Sequence, residues 1–226
     1  MDDGCRTVAE SLQCARLLVD AGYTHSFCTP HIWPGLPDNR IENIVRWTAE
    51  LQRELDNAAL PLRLIPGGEI NLVSDYHRTT APEEVVTYGM AGQYVLFDLW
   101  ADTLPEHFLP AVRWFRSLGM RPVLAHPERM RAVQDEPELA ELFGRIGLLM
   151  QGNLQCFSDP PHVPTRRIAE RYLLEGRYFM LGCDLHRIET LPVRLEGLAM
   201  ATQLAGEEAV RELTVENPRK LLPPGP

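Results

Sequence analysis

Apolar residues along this chain fall into two alternating rhythms. One is helical. Val8, Leu12, Ala15, Leu18 and Val19 recur at that period, and Gly22 ends the run. Thr7-Val8-Ala9-Glu10 at its head has the spacing of a capping box. Ile41, Ile44, Val45, Leu51 and Leu55 predict a second amphipathic helix. Phe108, Leu109, Val112 and Phe115 predict another after Pro105, and further helices are expected over 136–145 and 165–175. The other rhythm is a short unbroken apolar run. Such runs predict strands over 24–29, 62–65, 94–99, 122–125, 147–151 and 178–183. Helices are expected to finish the chain. Strand and helix alternate throughout, and the strands carry few polar interruptions. That pattern predicts a parallel sheet covered by helices, in the α/β class.

The chain has 226 residues, enough for one domain with a sizeable core. No repeat, low-complexity tract or linker divides it. A single domain over 1–222 is expected, with 223–226 a loose tail. Net charge is −9 and no basic run occurs, which argues against a nucleic-acid partner. No stretch reaches the roughly 18 apolar residues of a membrane span. The five cysteines are scattered and lack CxxC spacing, as expected of reduced thiols in a cytoplasmic protein.

Chemistry enters at the strand ends. Cys28-Thr29-Pro30-His31 closes one apolar run and Pro66-Gly67-Gly68-Glu69 the next. Phe97-Asp98, Leu124-Ala125-His126 and Cys183-Asp184-Leu185-His186 follow. In α/β barrels the active site is built at that rim. Imidazole and carboxylate together are the donors of a divalent transition-metal cluster. Gly67 and Gly68 predict a sharp turn that aims Glu69 inward. Asp184 and His186 share a face if their segment is extended. Pro127 biases His126 toward extended backbone. Arg129, three residues on, is a candidate phosphate clamp, with a surface arginine as the plain alternative. His25, His77, His107 and His162 end no strand beside other candidates and are read as filler. Other chemistries lack their motifs. No cysteine has the Cys-x5-Arg spacing of a cysteine phosphatase, and neither GxGxxG, GxxxxGK[ST] nor GxSxG occurs.

Taken in order, Asp2-Asp3-Gly4, Thr29-Pro30-His31, Gly67-Gly68-Glu69, Ala125-His126-Pro127-Glu128-Arg129, Asp184-Leu185-His186 and Glu216-Asn217-Pro218 resemble the PHP (polymerase and histidinol phosphatase) superfamily. Within it they are closest to the bacterial metal-dependent protein-tyrosine phosphatases of capsule and exopolysaccharide synthesis. The resemblance implies a distorted PHP-type barrel with a three-metal site, usually loaded with manganese. By it, Asp3, His31 and His186 would share one metal. Glu69, Asp98 and His126 would hold a second, with Glu69 bridging. Glu69 and Asp184 would contribute to a third. Arg129 would bind the substrate phosphate.

The sequence departs from the family pattern in three places. The Asp-x-His-x-His strand that precedes Asp-Asp-Gly in the family is absent, so the barrel is expected to lack its first strand and the chain to be N-terminally truncated. Asp98 stands where close relatives carry glutamate. Arg187 and Arg194 both lie near Asp-x-His, and neither aligns with the family's arginine there. The expected activity is hydrolysis of protein phosphotyrosine, with a bacterial tyrosine autokinase as partner. The alternatives are a phosphoesterase for a small phosphomonoester such as histidinol phosphate, and an inactive, metal-poor fragment.

Overall fold

The structure is a computed structural model that describes residues 2–223. Met1 and residues 224–226 of the expected tail lie outside the described residues. Pro223, the first tail residue, is packed over Gly89, where a side chain would meet its ring at 2.8 Å.

Eight strand segments form: β1 (His25–Cys28), β2 (His31–Ile32), β3 (Arg63–Pro66), β4 (Glu69–Asn71), β5 (Tyr94–Asp98), β6 (Arg121–Ala125), β7 (Leu149–Asn153) and β8 (Met180–Gly182). All pair in parallel. β1 pairs β3, and a second ladder runs β2-β4-β5-β6-β7-β8. The two ladders are one sheet interrupted in register. Cys28 faces Pro66 before the break and His31 faces Glu69 after it, at the same offset. The Glu69 N–H donates to the Pro30 carbonyl across the gap. Pro30 has no N–H to pair. Gly67 and Gly68 do not make the predicted turn. They permit close approach instead: a Cβ on Gly68 would lie 2.7 Å from Val86 and 3.0 Å from Ile32.

Six strands thus lie in chain order. Among the described residues the first strand and β8 have no partner on their outer sides, so pairing does not close the sheet. The sheet nevertheless curls. His31 on the first strand and His186 beyond β8 bring their rings within 6.1 Å of each other.

Helices cover the sheet as the periodicity predicts. α1 (Val8–Asp20) and α2 (Ile41–Asn57) pack Ala15, Leu18 and Leu55 on Leu62 and Leu64. Thr7 caps α1 by accepting from the Glu10 N–H at 3.1 Å. The reciprocal half of the capping box slips by one residue, because the Glu10 carboxylate accepts from Arg6 N–H, not Thr7. The main core gathers Phe97, Phe108, Phe115 and Phe143. The helix expected over 136–145 is shorter, Leu139–Arg145, and a separate turn of helix covers Arg131–Asp135. Pro137 stands between them, where a proline ends helical backbone for its predecessor. Helix Leu191–Ala205 crosses Leu154–Ser158 at Gly197, where a Cβ would fall 1.8 Å from the Leu154 carbonyl. That contact fixes the segment after β7 against the segment after β8.

Candidate metal centre

Asp3, His31 and His186 come together at the gap between the sheet edges. Their donor atoms all lie within 4.8 Å of one another. Asp3 Oδ1 is 3.7 Å from His31 Nε2, and Oδ2 is 3.4 Å from His186 Nε2. Each partner is held from elsewhere. Asp2 Oδ2 accepts from the His31 N–H at 2.8 Å, which pins the N-terminal segment to the first strand. His186 Nδ1 donates to the Asp184 carbonyl at 3.0 Å. That bond sets the tautomer and leaves a lone pair on Nε2, facing carboxylate oxygen. The buried His31 Nδ1 has no partner among the described residues. Ligands about 2.0–2.2 Å from one cation stand roughly 3–4 Å apart. Two imidazoles and a carboxylate at these spacings therefore fit a divalent ion.

A second group lies deeper. His126 Nε2 donates to Glu69 Oε1 at 3.0 Å, and both side chains are buried. Burial pushes Glu69 up, but the hydrogen bond and charge of His126, with His31 and Arg129 behind it, hold its carboxyl below the ordinary range. Burial pulls His126 down, and the Glu69 bond and charge outweigh it, so the imidazole is raised. Asp98 ends β5, opposite Asn71 in the ladder with β4. Its Oδ1 accepts from Asn71 Nδ2 at 3.2 Å, and its Oδ2 from the Trp100 indole N–H. Burial, and then the Glu69 charge, push the Asp98 carboxyl up to about 6.

Asp184 joins the two groups. Its Oδ2 accepts from Asn153 Nδ2 at 2.6 Å and from an Arg129 guanidinium N–H at 3.2 Å. Arg129 in turn lies over the Trp100 ring at 5.8 Å. Glu69, Asp98, His126, Asp184 and Arg129 thus share one rim with Asp3, His31 and His186.

The local conformations differ from expectation in three ways. His31 and Glu69 do not terminate strands: each stands where its strand resumes after the break. His126 is not extended. It adopts left-handed backbone at φ 33°, since the chain must turn at once into the 3₁₀ turn Pro127–Arg129. Asp184 likewise has φ 48°, two residues past the end of β8, so Asp184 and His186 are not placed by strand alternation. Positive φ on residues other than glycine is costly and concentrates at functional sites.

The roles of several residues escaped the sequence reading. The strand expected over 147–151 runs instead over 149–153, which carries Asn153 to the rim. There its Oδ1 caps the next helix by accepting from Gln155 N–H, while its Nδ2 serves Asp184. Asparagine before an apolar helical stretch was the available signal. Glu128 points into the core. Its Oε1 accepts from the Asn153 N–H at 2.6 Å and its Oε2 from the Tyr178 hydroxyl at 2.9 Å. Burial raises its carboxyl. Arg194 is buried and donates to the carbonyls of Cys183, Asp184 and Thr190. It clamps the strained Asp184 segment through backbone, a role no motif announces. Of the four histidines read as filler, His107 Nε2 donates to the Leu72 carbonyl, and His25 pairs with Thr24.

Known proteins resemble this chain in sequence and in fold. The family model for capsular polysaccharide synthesis, CpsB/CapC, matches residues 1–223. The tyrosine-protein phosphatase YwqE of Bacillus subtilis is 28% identical over 194 residues, 84% of this chain and 74% of its own. The tyrosine-protein phosphatase CpsB of Streptococcus agalactiae is 23% identical over 229 residues, covering 98% and 93% of the two chains. In three dimensions the chain matches one from the crystal structures of YwqE from Bacillus subtilis and CpsB from Streptococcus pneumoniae, described as unique metal-dependent tyrosine phosphatases. The TM-score is 0.89 at 24% identity, over 98% of this chain and 90% of that one. This last likeness speaks to the fold, and the family model spans nearly the whole sequence. The chain therefore belongs to the CpsB/CapC family of capsular polysaccharide synthesis.

Proposed function

We propose that this protein is a metal-dependent phosphatase that hydrolyses phosphotyrosine on a protein, specifically a cytoplasmic tyrosine autokinase of capsule or exopolysaccharide synthesis. The observation that carries the reading is the cluster of Asp3, His31 and His186, with donors within 4.8 Å, on one rim with Arg129. Relatives over most of the chain are named tyrosine-protein phosphatases. Among the described residues no helix is long and apolar enough to cross a membrane.

Manganese is the proposed ion. When bound, it supplies a lowered pKa for water and neutralises charge on phosphoryl oxygens. Asp3, His31 and His186 would hold one ion. Glu69, His126 and Asp98 would hold a second, and Glu69 and Asp184 would contribute to a third. Arg129 seats the phosphate: its guanidinium has five donors, and Asp184 takes one. Arg194 and Asn153 act at one remove by fixing Asp184. The cleft beside the site is open, which favours a tyrosine presented by a protein over a small molecule enclosed in a pocket.

The test combines metal analysis with phosphate release. Manganese-loaded protein is expected to dephosphorylate tyrosine-phosphorylated peptides and the autokinase. Chelation should abolish this and added manganese restore it. Faster turnover of histidinol phosphate would move the substrate to the small-molecule class. Absence of both bound metal and hydrolysis would make the chain an inactive member of its family.

A further inference from the structure

Two tryptophans flank the site, and neither belongs to the donor set. Trp100 is 67% exposed on the loop after β5, on the surface of a molecule whose other large aromatics are mostly inside. Exposure of that size is unusual for tryptophan. The ring is nevertheless fixed. Its indole N–H donates to Asp98 Oδ2, and the Arg129 guanidinium lies over it at 5.8 Å. Trp33 follows the second segment of the first strand. Its ring stacks on His31, with centroids 4.3 Å apart and planes 23° from parallel. One tryptophan is therefore tied to Asp98 and the other to His31 at the sheet edge. Between them, with Pro34, Gly35 and Asn71, they line an open, largely apolar cleft of about 450 Å³.

We propose that Trp33 and Trp100 form a leaving-group subsite that binds the aryl ring of an aryl phosphomonoester and sets a preference for aryl over alkyl phosphates. The inference rests on the phosphatase reading and deepens it. Arg129 joins the two parts: its charge faces the rim where the phosphate would sit, and it also contacts one wall of the cleft. In the proposed pose a phosphate at Arg129 lies beside the Trp100 wall, and the group on its ester oxygen enters the cleft. A flat π-face suits a phenyl ring, since aromatic pairs gain beyond area burial. An alkyl chain such as that of phosphoserine makes no equivalent contact. Two such walls should give about tenfold discrimination.

The experiment compares phenylphosphonate with methylphosphonate, neither of which is hydrolysed, by calorimetric titration of the manganese-loaded protein. The wild type should bind phenylphosphonate about tenfold more tightly. In Trp33→Ala and Trp100→Ala the ratio should fall toward one. In Trp100→Phe it should be largely retained, because the ring survives although the bond to Asp98 is lost. The ratio is the readout, so a change in metal loading that weakens both phosphonates alike divides out. A wild-type ratio near one, or a ratio that neither alanine variant changes, would overturn the subsite. Hydrolysis of a phosphotyrosine peptide is measured in parallel. Hydrolysis without aryl preference would reject the subsite alone. Aryl preference without hydrolysis would reject the phosphatase reading alone. Binding of neither phosphonate would reject both.

Discussion

Glu69, His126 and Asp98 are buried where the sheet is fully paired, whereas Asp3, His31 and His186 meet at the gap between its edges. In the first group the donors are satisfied by protein: His126 bonds Glu69 at 3.0 Å, and Asn71 and Trp100 bond Asp98. In the second the spacings are 3.4 and 3.7 Å, outside ordinary hydrogen-bond range, and His31 Nδ1 has no partner among the described residues. The Asp3 side chain is 56% exposed. The buried group is thus held by bonds within the protein, and the edge group has donor spacings that fit a divalent ion. A buried donor set costs folding energy unless it is internally paired. At the edge only Asp3 is open to water; the His31 side chain is 12% exposed and the His186 side chain 31%.

That contrast can be tested by mutation. The largest effect should come from Glu69→Ala. Removing one partner of a buried pair strands the other, at about 3 kcal/mol. Urea unfolding of the metal-free protein should show this loss, and the metal-loaded variant should lack activity. His186→Ala should act the other way round. Metal-free stability should stay within about 0.5 kcal/mol of wild type. Manganese stoichiometry should fall and activity with it. Equal destabilisation by the two substitutions would erase the distinction between the halves.

Smaller effects sharpen the picture at the junction. Arg129→Lys keeps the charge but loses the bidentate fork. Steady-state kinetics should show kcat/KM reduced by about tenfold or more, with manganese content unchanged. Unchanged kinetics would return Arg129 to the plain surface role. Asp98→Glu is expected to be the mildest change, within about threefold in kcat/KM, because it preserves the carboxylate and extends its reach. A metal titration showing loss of an ion in that variant would mean that the short side chain is matched to its place beside Asn71 and Trp100.

Much of the fold was legible in the chain. Apolar runs separated by helical periods specify a parallel sheet almost regardless of detail, because both faces of its strands must be covered. Boundaries were less certain. An error of two residues in β7 hid Asn153, since nothing in Leu-Met-Gln-Gly-Asn marks where pairing stops. The reason for Gly67-Gly68 was also misplaced. Glycine serves turns and close approach equally, and only the position of Val86 distinguishes them. Trp100 gave no sign of its role, because its partners are a carboxylate two residues away and an arginine on another loop.

The sequence by itself determined the order of strands along the chain, the class of fold and which side chains are candidate donors. These follow from local periodicity and from which side chains can ligate at all. Only the tertiary structure decided how those donors are grouped: Glu69 with His126, Asp3 with His31 and His186, and Asp184 with Asn153 and Arg129. It also set the left-handed backbone at His126 and Asp184 and the Arg194 clamp that steadies Asp184. The physical reason is range. Periodicity and turn chemistry act over a few neighbouring residues, whereas these partners are brought together by the curl of the sheet from segments far apart in the chain.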